Sequence, residues 1–169
     1  MSMTAEDVLY ILDLLDEAEI DYWLGGGWGI DALVGQQTRS HDDLDLAFPS
    51  EQEEKLIQVL KLEGFAITSD WRPVKFVMRD ERHRSVDAHP VTFDDGVGWQ
   101  ANVGELSPFP YPREQFTTGK IDGRSVPCIS IERQVDFHDH YEPTEKDRAD
   151  MQVLAGRFGA KLPEWYRRR

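Results

Sequence analysis

Cross-linking sulfur is the first thing this chain lacks. Cys128 is the only cysteine in 169 residues. That excludes an intramolecular disulfide framework and points to a reducing compartment, so a cytoplasmic location is expected. A lone cysteine is read as a small buried hydrophobe, and no histidine stands close to it in sequence to make it a nucleophile. Long apolar runs are missing too. Nothing approaches the ~20 residues that span a bilayer, and the opening MSMTAEDVLY has no basic segment leading into an apolar one. No membrane partner and no signal peptide are predicted. Positive charge is scarce: 19 Lys and Arg stand against 32 Asp and Glu, a formal charge of −13. Contacts to phosphate dominate affinity for nucleic acid, so no nucleic-acid partner is expected. A cationic small molecule would be drawn in, although the same charge also serves plain solubility. There is no internal repeat and no low-complexity segment. What is present is a 40% hydrophobic content with five Trp and eight Phe, enough for the core of one domain and unlike a disordered chain.

The chemistry concentrates in LGGGWGIDALVGQQTRSHDDLDLAF, from Leu24 to Phe48. Side chains alternate faces along a strand. Asp43 and Asp45 therefore share one face, while Leu44 and Leu46 enter the core. Two carboxylates on one face of a buried strand are costly unless a cation sits between them. A divalent metal is one candidate, and a strand-end cap or ion pair with Arg39 is the other. Gly25, Gly26 and Gly27 form a turn whose backbone N–H groups can face phosphate. The run matches neither the dinucleotide fingerprint nor the P-loop. A third carboxylate comes later, in Ser85-Val86-Asp87-Ala88-His89, where Ser85, Asp87 and His89 share a face. Together these residues suggest a site for a metal-bound nucleoside triphosphate.

Around them the expected class is α+β, a mixed sheet flanked by helices. A capping box opens at Thr4, closed by Asp7, with Val8, Ile11, Leu12 and Leu15 on one face. A short strand covers 20–24. Trp28 to Val34 reads as a two-turn helix stopped by Gly35, and Leu44 to Phe48 as a strand. Ser50 to Glu53 reads as a second capping box, with Gly64 as the helix stop. Strands are expected over 65–68, 74–79 and 84–92. From Phe93 to Pro112 the pattern weakens into a loop, where Phe109 and Tyr111 either line a pocket or pin the loop. Phe116 to Ile129 reads as a hairpin turning at Asp122-Gly123. Ser130 opens a helix to about Tyr141. Thr144 to Asp147 caps a last helix with Met151, Leu154 and Phe158 inside. The division predicted is a core over 1–127 and a small C-terminal helical appendage over 128–169, ending in the basic tail 167–169.

The pattern GG-W-x-x-D-A-x-x-G-x-x-T-R-x-H-D-D-L-D-L-x-F resembles the antibiotic nucleotidyltransferases, a branch of the DNA polymerase β-like superfamily. The aminoglycoside 2″-nucleotidyltransferases come first, then the lincosamide nucleotidyltransferases. The likeness extends to Val86-Asp87-Ala88-His89-Pro90, to Gly123-Arg124-Ser125-Val126-Pro127-Cys128, and across 140–154. It implies transfer of AMP from Mg-ATP to a hydroxyl of a cationic antibiotic, with aminoglycoside ahead of lincosamide, releasing pyrophosphate. It also implies two Mg²⁺ ions held by Asp43, Asp45 and Asp87, with Asp87 as general base. Gly26 and Gly27 would hold the triphosphate, and Arg39, His41 and Lys146 would lie near its phosphates. Each of the last three has a plainer reading. Arg39 can pair with Asp31, His41 can be a local partner of the aspartates, and Lys146 can pair with Glu142 or Asp150. Asp94, Asp95 and Glu105 are candidates for binding substrate ammonium groups, or ordinary loop residues. His89 departs from the aminoglycoside pattern, which has an acidic residue there. A zinc site of His89, His138 and His140 lacks the usual ligand spacing. The other classes to weigh are a nucleotide-binding regulatory or antitoxin-like module and a nucleotidyltransferase acting on a protein. A monomer or a homodimer is expected.

Overall fold

The computed structural model describes residues 2–102, 104 and 107–167. Glu105 and the tail residues Arg168 and Arg169 lie outside them. The first helix, α1 (Ala5–Glu17), starts at the predicted capping box: the Thr4 hydroxyl accepts from the Asp7 N–H, and the Asp7 carboxylate accepts from the Thr4 N–H. Its Val8, Ile11, Leu12 and Leu15 are buried. A two-residue strand, β1 (Trp23–Leu24), runs into α2 (Gly26–Val34), which begins inside the glycine run and ends at Gly35 in the left-handed conformation. Next come β2 (Leu44–Pro49), α3 (Glu53–Leu62), β3 (Ala66–Trp71), β4 (Lys75–Arg79) and β5 (Ser85–Asp94). The capping box expected at Ser50 does not form. Ser50 to Gln52 make a 3-10 turn, and the Ser50 hydroxyl shares a hydrogen bond with Thr92 Oγ1 (2.9 Å).

The region expected to be a loop contains two strands, β6 (Val97–Gln100) and β7 (Phe109–Tyr111). β6 closes a hairpin with β5 across Asp95-Gly96, both at positive φ, and β7 pairs in turn with β6. The hairpin β8 (Phe116–Ile121) and β9 (Arg124–Ile129) turns at Asp122-Gly123, both at positive φ as the tight turn requires. Cys128, where the appendage was expected to begin, lies inside β9 as the register partner of Leu24. It is fully buried, which pushes its thiol up to about 12. Three helices follow. They are α4 (Ile131–Phe137), capped by Ser130 and shorter than expected, α5 (Glu145–Phe158), opened by the predicted Thr144/Asp147 box, and α6 (Glu164–Arg167). Met151 and Leu154 of α5 are buried as expected, but Phe158 is exposed.

The described strands form one mixed sheet in the order β3-β4-β5-β2-β1-β9-β8, with β6 added along the second half of β5 and β7 beyond β6. β2 pairs with β5, and β1 with β9, in parallel; the other pairings are antiparallel. On one face, Leu44, Leu46 and Phe48 of β2, Phe76 and Met78 of β4, and Val86 and Ala88 of β5 join the apolar sides of α1 and α3 in the main core. The residues between them, Asp45, Lys75, Asp87 and His89, line a cavity on the other face. This expresses the period of two along three adjacent strands.

Candidate active site

The glycine turn is built against Asp45. The Gly25 N–H donates to the Asp45 carbonyl at 2.9 Å. Gly26 opens α2 at φ +53°, and a Cβ there would stand 2.8 Å from Asp45 Cγ. Glycine is thus demanded twice, by backbone angle and by space. A Cβ on Gly27 would meet the His41 ring and approach Arg39 Nη2 to 2.9 Å. The first N–H groups of a helix have no partner within it, and the dipole of α2 makes its N-terminus favourable to anions.

Parallel pairing makes Asp45 and Asp87 direct register partners. Lys75 Nζ donates to Asp87 Oδ2 at 2.6 Å, while Asp87 Oδ1 is buried with no hydrogen-bond partner. His89 Nε2 lies 3.4 Å from Asp45 Oδ1 and 3.6 Å from Asp87 Oδ1. Asp45, Asp87 and His89 form the metal-competent group among the described residues, with ligand atoms all within 4.8 Å of one another. Asp43 lies outside that group, one residue ahead of β2 on the rim of the same cavity. Partial desolvation, reinforced by Asp45, Asp87 and Asp42, raises the Asp43 carboxyl above its ordinary range. At Asp45 burial acts in the same direction, but the hydrogen bond and charge of His89, with Lys75 beyond, overcome it and hold the carboxyl low. The environments of these two neighbouring carboxylates therefore push them apart.

The other expected residues reach the cavity with different partners from those foreseen. Arg39 makes a two-pronged ion pair with Asp150 of α5 (2.7 and 2.5 Å), not with Asp31. Asp31 instead holds His41 Nε2 and accepts from the Thr38 N–H and hydroxyl. Lys146 donates to Asp42 at 2.9 Å, not to Glu142 or Asp150. His138 and His140 turn to Asp147 and Asp136, so the three histidines do not assemble a zinc site. Lys75 escaped the sequence reading, although Phe76 and Met78 on the core side require it to face the way Asp87 does. Gln134, whose side-chain N–H donates to the Gly26 carbonyl (3.3 Å), and Gln100, which meets His89, also escaped it.

These groups ring a cavity of about 1200 Å³. Its far wall is apolar, formed by Phe109, Tyr111, Phe137 and neighbouring prolines. Phe109 and Tyr111 are thus pocket lining. Behind the wall Arg133 is buried, its guanidinium 4.2 Å from the Phe137 ring centre and 5.2 Å from that of Tyr111. Burial lowers its pKa, and its Nε and Nη2 have no hydrogen-bond partner.

A glycine turn over paired carboxylates occurs in more than one group of enzymes, and comparison with known proteins decides among them. The family model for aminoglycoside-2″-adenylyltransferases matches residues 7–154. The chain belongs to this family. It is a nucleotidyltransferase. A lincosamide resistance protein of Staphylococcus haemolyticus is 37% identical over 154 residues, covering 90% of this chain and 95% of that protein. Among solved structures, the lincomycin-bound lincosamide antibiotic adenylyltransferase LnuA superposes with a TM-score of 0.83 at 37% identity, over 91% of this chain and 98% of that one. ANT(2″)-Ia in complex with adenylyl-2″-tobramycin superposes at 0.75 with 26% identity, over 92% and 91%. No described helix is long and apolar enough to cross a membrane.

Proposed function

We propose that this nucleotidyltransferase moves AMP from ATP to a hydroxyl of a small-molecule antibiotic and releases pyrophosphate. The observation that carries the reading is the pairing of Asp45 with Asp87 beneath Gly26, in one cavity. We further propose a lincosamide ahead of an aminoglycoside, reversing the order expected from sequence. An apolar wall and an imidazole at position 89 suit an acceptor with one amine better than a polycation. The likeness to a lincosamide resistance protein over nearly its whole length supports the same order.

The donor set fits divalent metal. Its donors are carboxylate oxygens joined by one imidazole, and the orphaned Asp87 Oδ1 is a buried anion that wants a cation. Asp45 and Asp87, with Asp43 at the rim, would hold Mg²⁺. Bound Mg²⁺ supplies neutralisation of the triphosphate and polarisation of the reacting oxygens. The remaining work belongs to the chain's own groups. The N-terminus of α2, through Gly26 and Gly27, receives phosphate oxygens. Arg39, His41 and Lys146 stand on the same side of the cavity for the outer phosphates. Lys75 fixes Asp87 through Oδ2, and the Asp87 carboxylate accepts the proton of the acceptor hydroxyl. The hydroxyl oxygen forms its bond to the α-phosphorus as the bond to the bridging oxygen breaks, and pyrophosphate departs. The apolar wall orients the acceptor and excludes competing water.

The test is incubation with ATP, Mg²⁺ and either lincomycin or tobramycin, read by mass spectrometry and by pyrophosphate release. Lincomycin should gain one AMP unit, and tobramycin should gain it more slowly or not at all. Faster transfer to tobramycin would reverse the order of acceptors. ATP binding without transfer to any acceptor would leave a binding module in place of the proposed enzyme.

A further inference from the structure

No step of the mechanism above runs through His89, yet its ring is held from both sides. Its Nδ1 accepts from Gln100 Nε2 at 3.0 Å, and Gln100 Oε1 accepts from the Tyr111 hydroxyl at 2.6 Å. Gln100 and Tyr111 are both buried. The string crosses from β5 to β6 to β7, three neighbouring strands, and swinging the ring aside would break its bond to the buried Gln100. Held this way, Nε2 points between Asp45 Oδ1 and Asp87 Oδ1, at 3.4 and 3.6 Å. The first is a long hydrogen bond and the second lies beyond hydrogen-bonding distance. A histidine serving only as a donor would settle against one carboxylate. Near-equal spacing from two oxygens, one of which has no hydrogen-bond partner, is what three atoms facing a common cation would show. Donor atoms around one small divalent ion stand about 3 Å apart.

We propose that His89 is a metal ligand of this site, oriented by Gln100 and Tyr111, and that its imidazole makes the site prefer Mn²⁺ to Mg²⁺. This rests on the nucleotidyltransferase reading only in that a divalent ion is expected there. Oxygen donors suit Mg²⁺, whereas an imidazole nitrogen favours the transition metals. A ligating histidine bonds through one ring nitrogen and donates from the other to a fixed acceptor. Gln100 supplies that acceptor after a half-turn of its carboxamide, which brings Oε1 to Nδ1 and Nε2 to the Tyr111 oxygen. A tyrosine hydroxyl both donates and accepts, so the string is satisfied in either direction.

The experiment uses Mn²⁺ alone with the intact protein, without nucleotide or antibiotic. Free Mn²⁺ is counted by electron paramagnetic resonance, and bound Mn²⁺ is examined for nitrogen modulation by electron spin-echo spectroscopy. The expected result is one Mn²⁺ site with directly coordinated ¹⁴N, displaced by Mg²⁺ only at tenfold or greater excess. His89→Asn should abolish the nitrogen signal and weaken Mn²⁺ at least tenfold, with little change for Mg²⁺. Gln100→Leu should keep the signal but weaken Mn²⁺ by roughly tenfold to a hundredfold, the usual effect of losing a residue that orients a ligand. Bound Mn²⁺ without nitrogen modulation in the unaltered protein overturns the proposal, as does a signal that survives His89→Asn, or the absence of any Mn²⁺ site. The wild-type spectrum decides even if a variant fails to fold. A nitrogen-coordinated ion in a protein that adenylylates nothing would sink the function and keep this inference. Adenylylation with no nitrogen ligand would do the reverse.

Discussion

Lys75 Nζ and Asp87 Oδ2 stand 2.6 Å apart, on neighbouring antiparallel strands and twelve residues apart in sequence. Of the two Asp87 oxygens, one is therefore committed to an ammonium and the other is left without a partner. Replacing Lys75 with Met should release the carboxylate from that geometry while leaving the core face of β4 intact. The expected outcome is a loss of about ten- to a hundredfold in kcat, read from pyrophosphate release, with a small change in Tm because the lysine is partly exposed. Asp87→Asn removes the base altogether and should cost more, about 10²–10⁴-fold. Equal activity of Lys75→Met and wild type would show that Asp87 needs no orienting partner.

Asp43 gives a pH signature. Its carboxyl is raised in the folded protein, so the folded state holds that proton more tightly than the unfolded chain does. The proton's stabilising contribution is complete below the ordinary carboxylate range, near pH 4. It is lost as pH rises through the raised value. Asp43→Asn should accordingly raise Tm at pH 7 by about 1–3 °C, a gain kept small by solvent at the rim. The gain should vanish by about pH 3, and transfer should fall. Melting curves at the two pH values check this, and a gain that grew towards low pH would contradict the sign.

Gly26→Ala tests the glycine turn. The new methyl group meets both a positive φ and the Asp45 carboxylate. A loss of about 1–3 kcal/mol in stability is expected from overpacking and backbone strain. A larger loss of activity should accompany it, because Asp45 has to move. Denaturant unfolding and transfer assays separate the two effects.

Arg39 holds α5 onto the loop that precedes β2. Arg39→Ala leaves Asp150 buried without its cation. The expected cost is about 2–3 kcal/mol, seen as a drop in Tm of roughly 5–10 °C. Adding Asp150→Asn should recover part of it. No recovery would mean that Arg39 acts through packing and not through its charge.

Arg133 makes the opposite prediction. It is buried, its pKa is lowered by desolvation, and two of its nitrogens lack hydrogen-bond partners. Its carboxylate partner among the described residues, Asp136, is half exposed and keeps its water without it. Arg133→Met should leave stability unchanged or raise it by about 1 kcal/mol or more, measured by denaturant unfolding. A clear destabilisation would show that the guanidinium over Phe137 and Tyr111 contributes more than its desolvation costs.

The parts of this protein legible from sequence are those determined within a few residues. The Thr4/Asp7 and Thr144/Asp147 caps, the Asp122-Gly123 turn and the alternation that sends Asp45 and Asp87 to the cavity face all follow from local spacing. Ser50 shows the limit. Its capping box is correct by pattern, yet the hydroxyl bonds Thr92, 42 residues away. The Arg39–Asp150 pair, 111 residues apart, and the string from His89 to Tyr111 are likewise products of the folded sheet. β6 was open to a local reading, through the Asp95-Gly96 turn that joins it to β5. β7 is three residues around a proline, carries no periodicity, and depends on the edge that β6 offers it.

The parallel register of β2 and β5 also governs where this chain can change length. Asp45 stands opposite Asp87, and each is flanked by residues that belong in the core. Adding or removing one residue within β2 would turn the next aspartate towards Leu12 and Leu60 and a leucine towards the nucleotide, because every side chain beyond the change would switch faces. The segment between β6 and β7 belongs to neither of these two strands. Natural or engineered variation in acceptor should therefore arise there, by lengthening or shortening the chain, while the strands beneath Gly26 vary only by substitution.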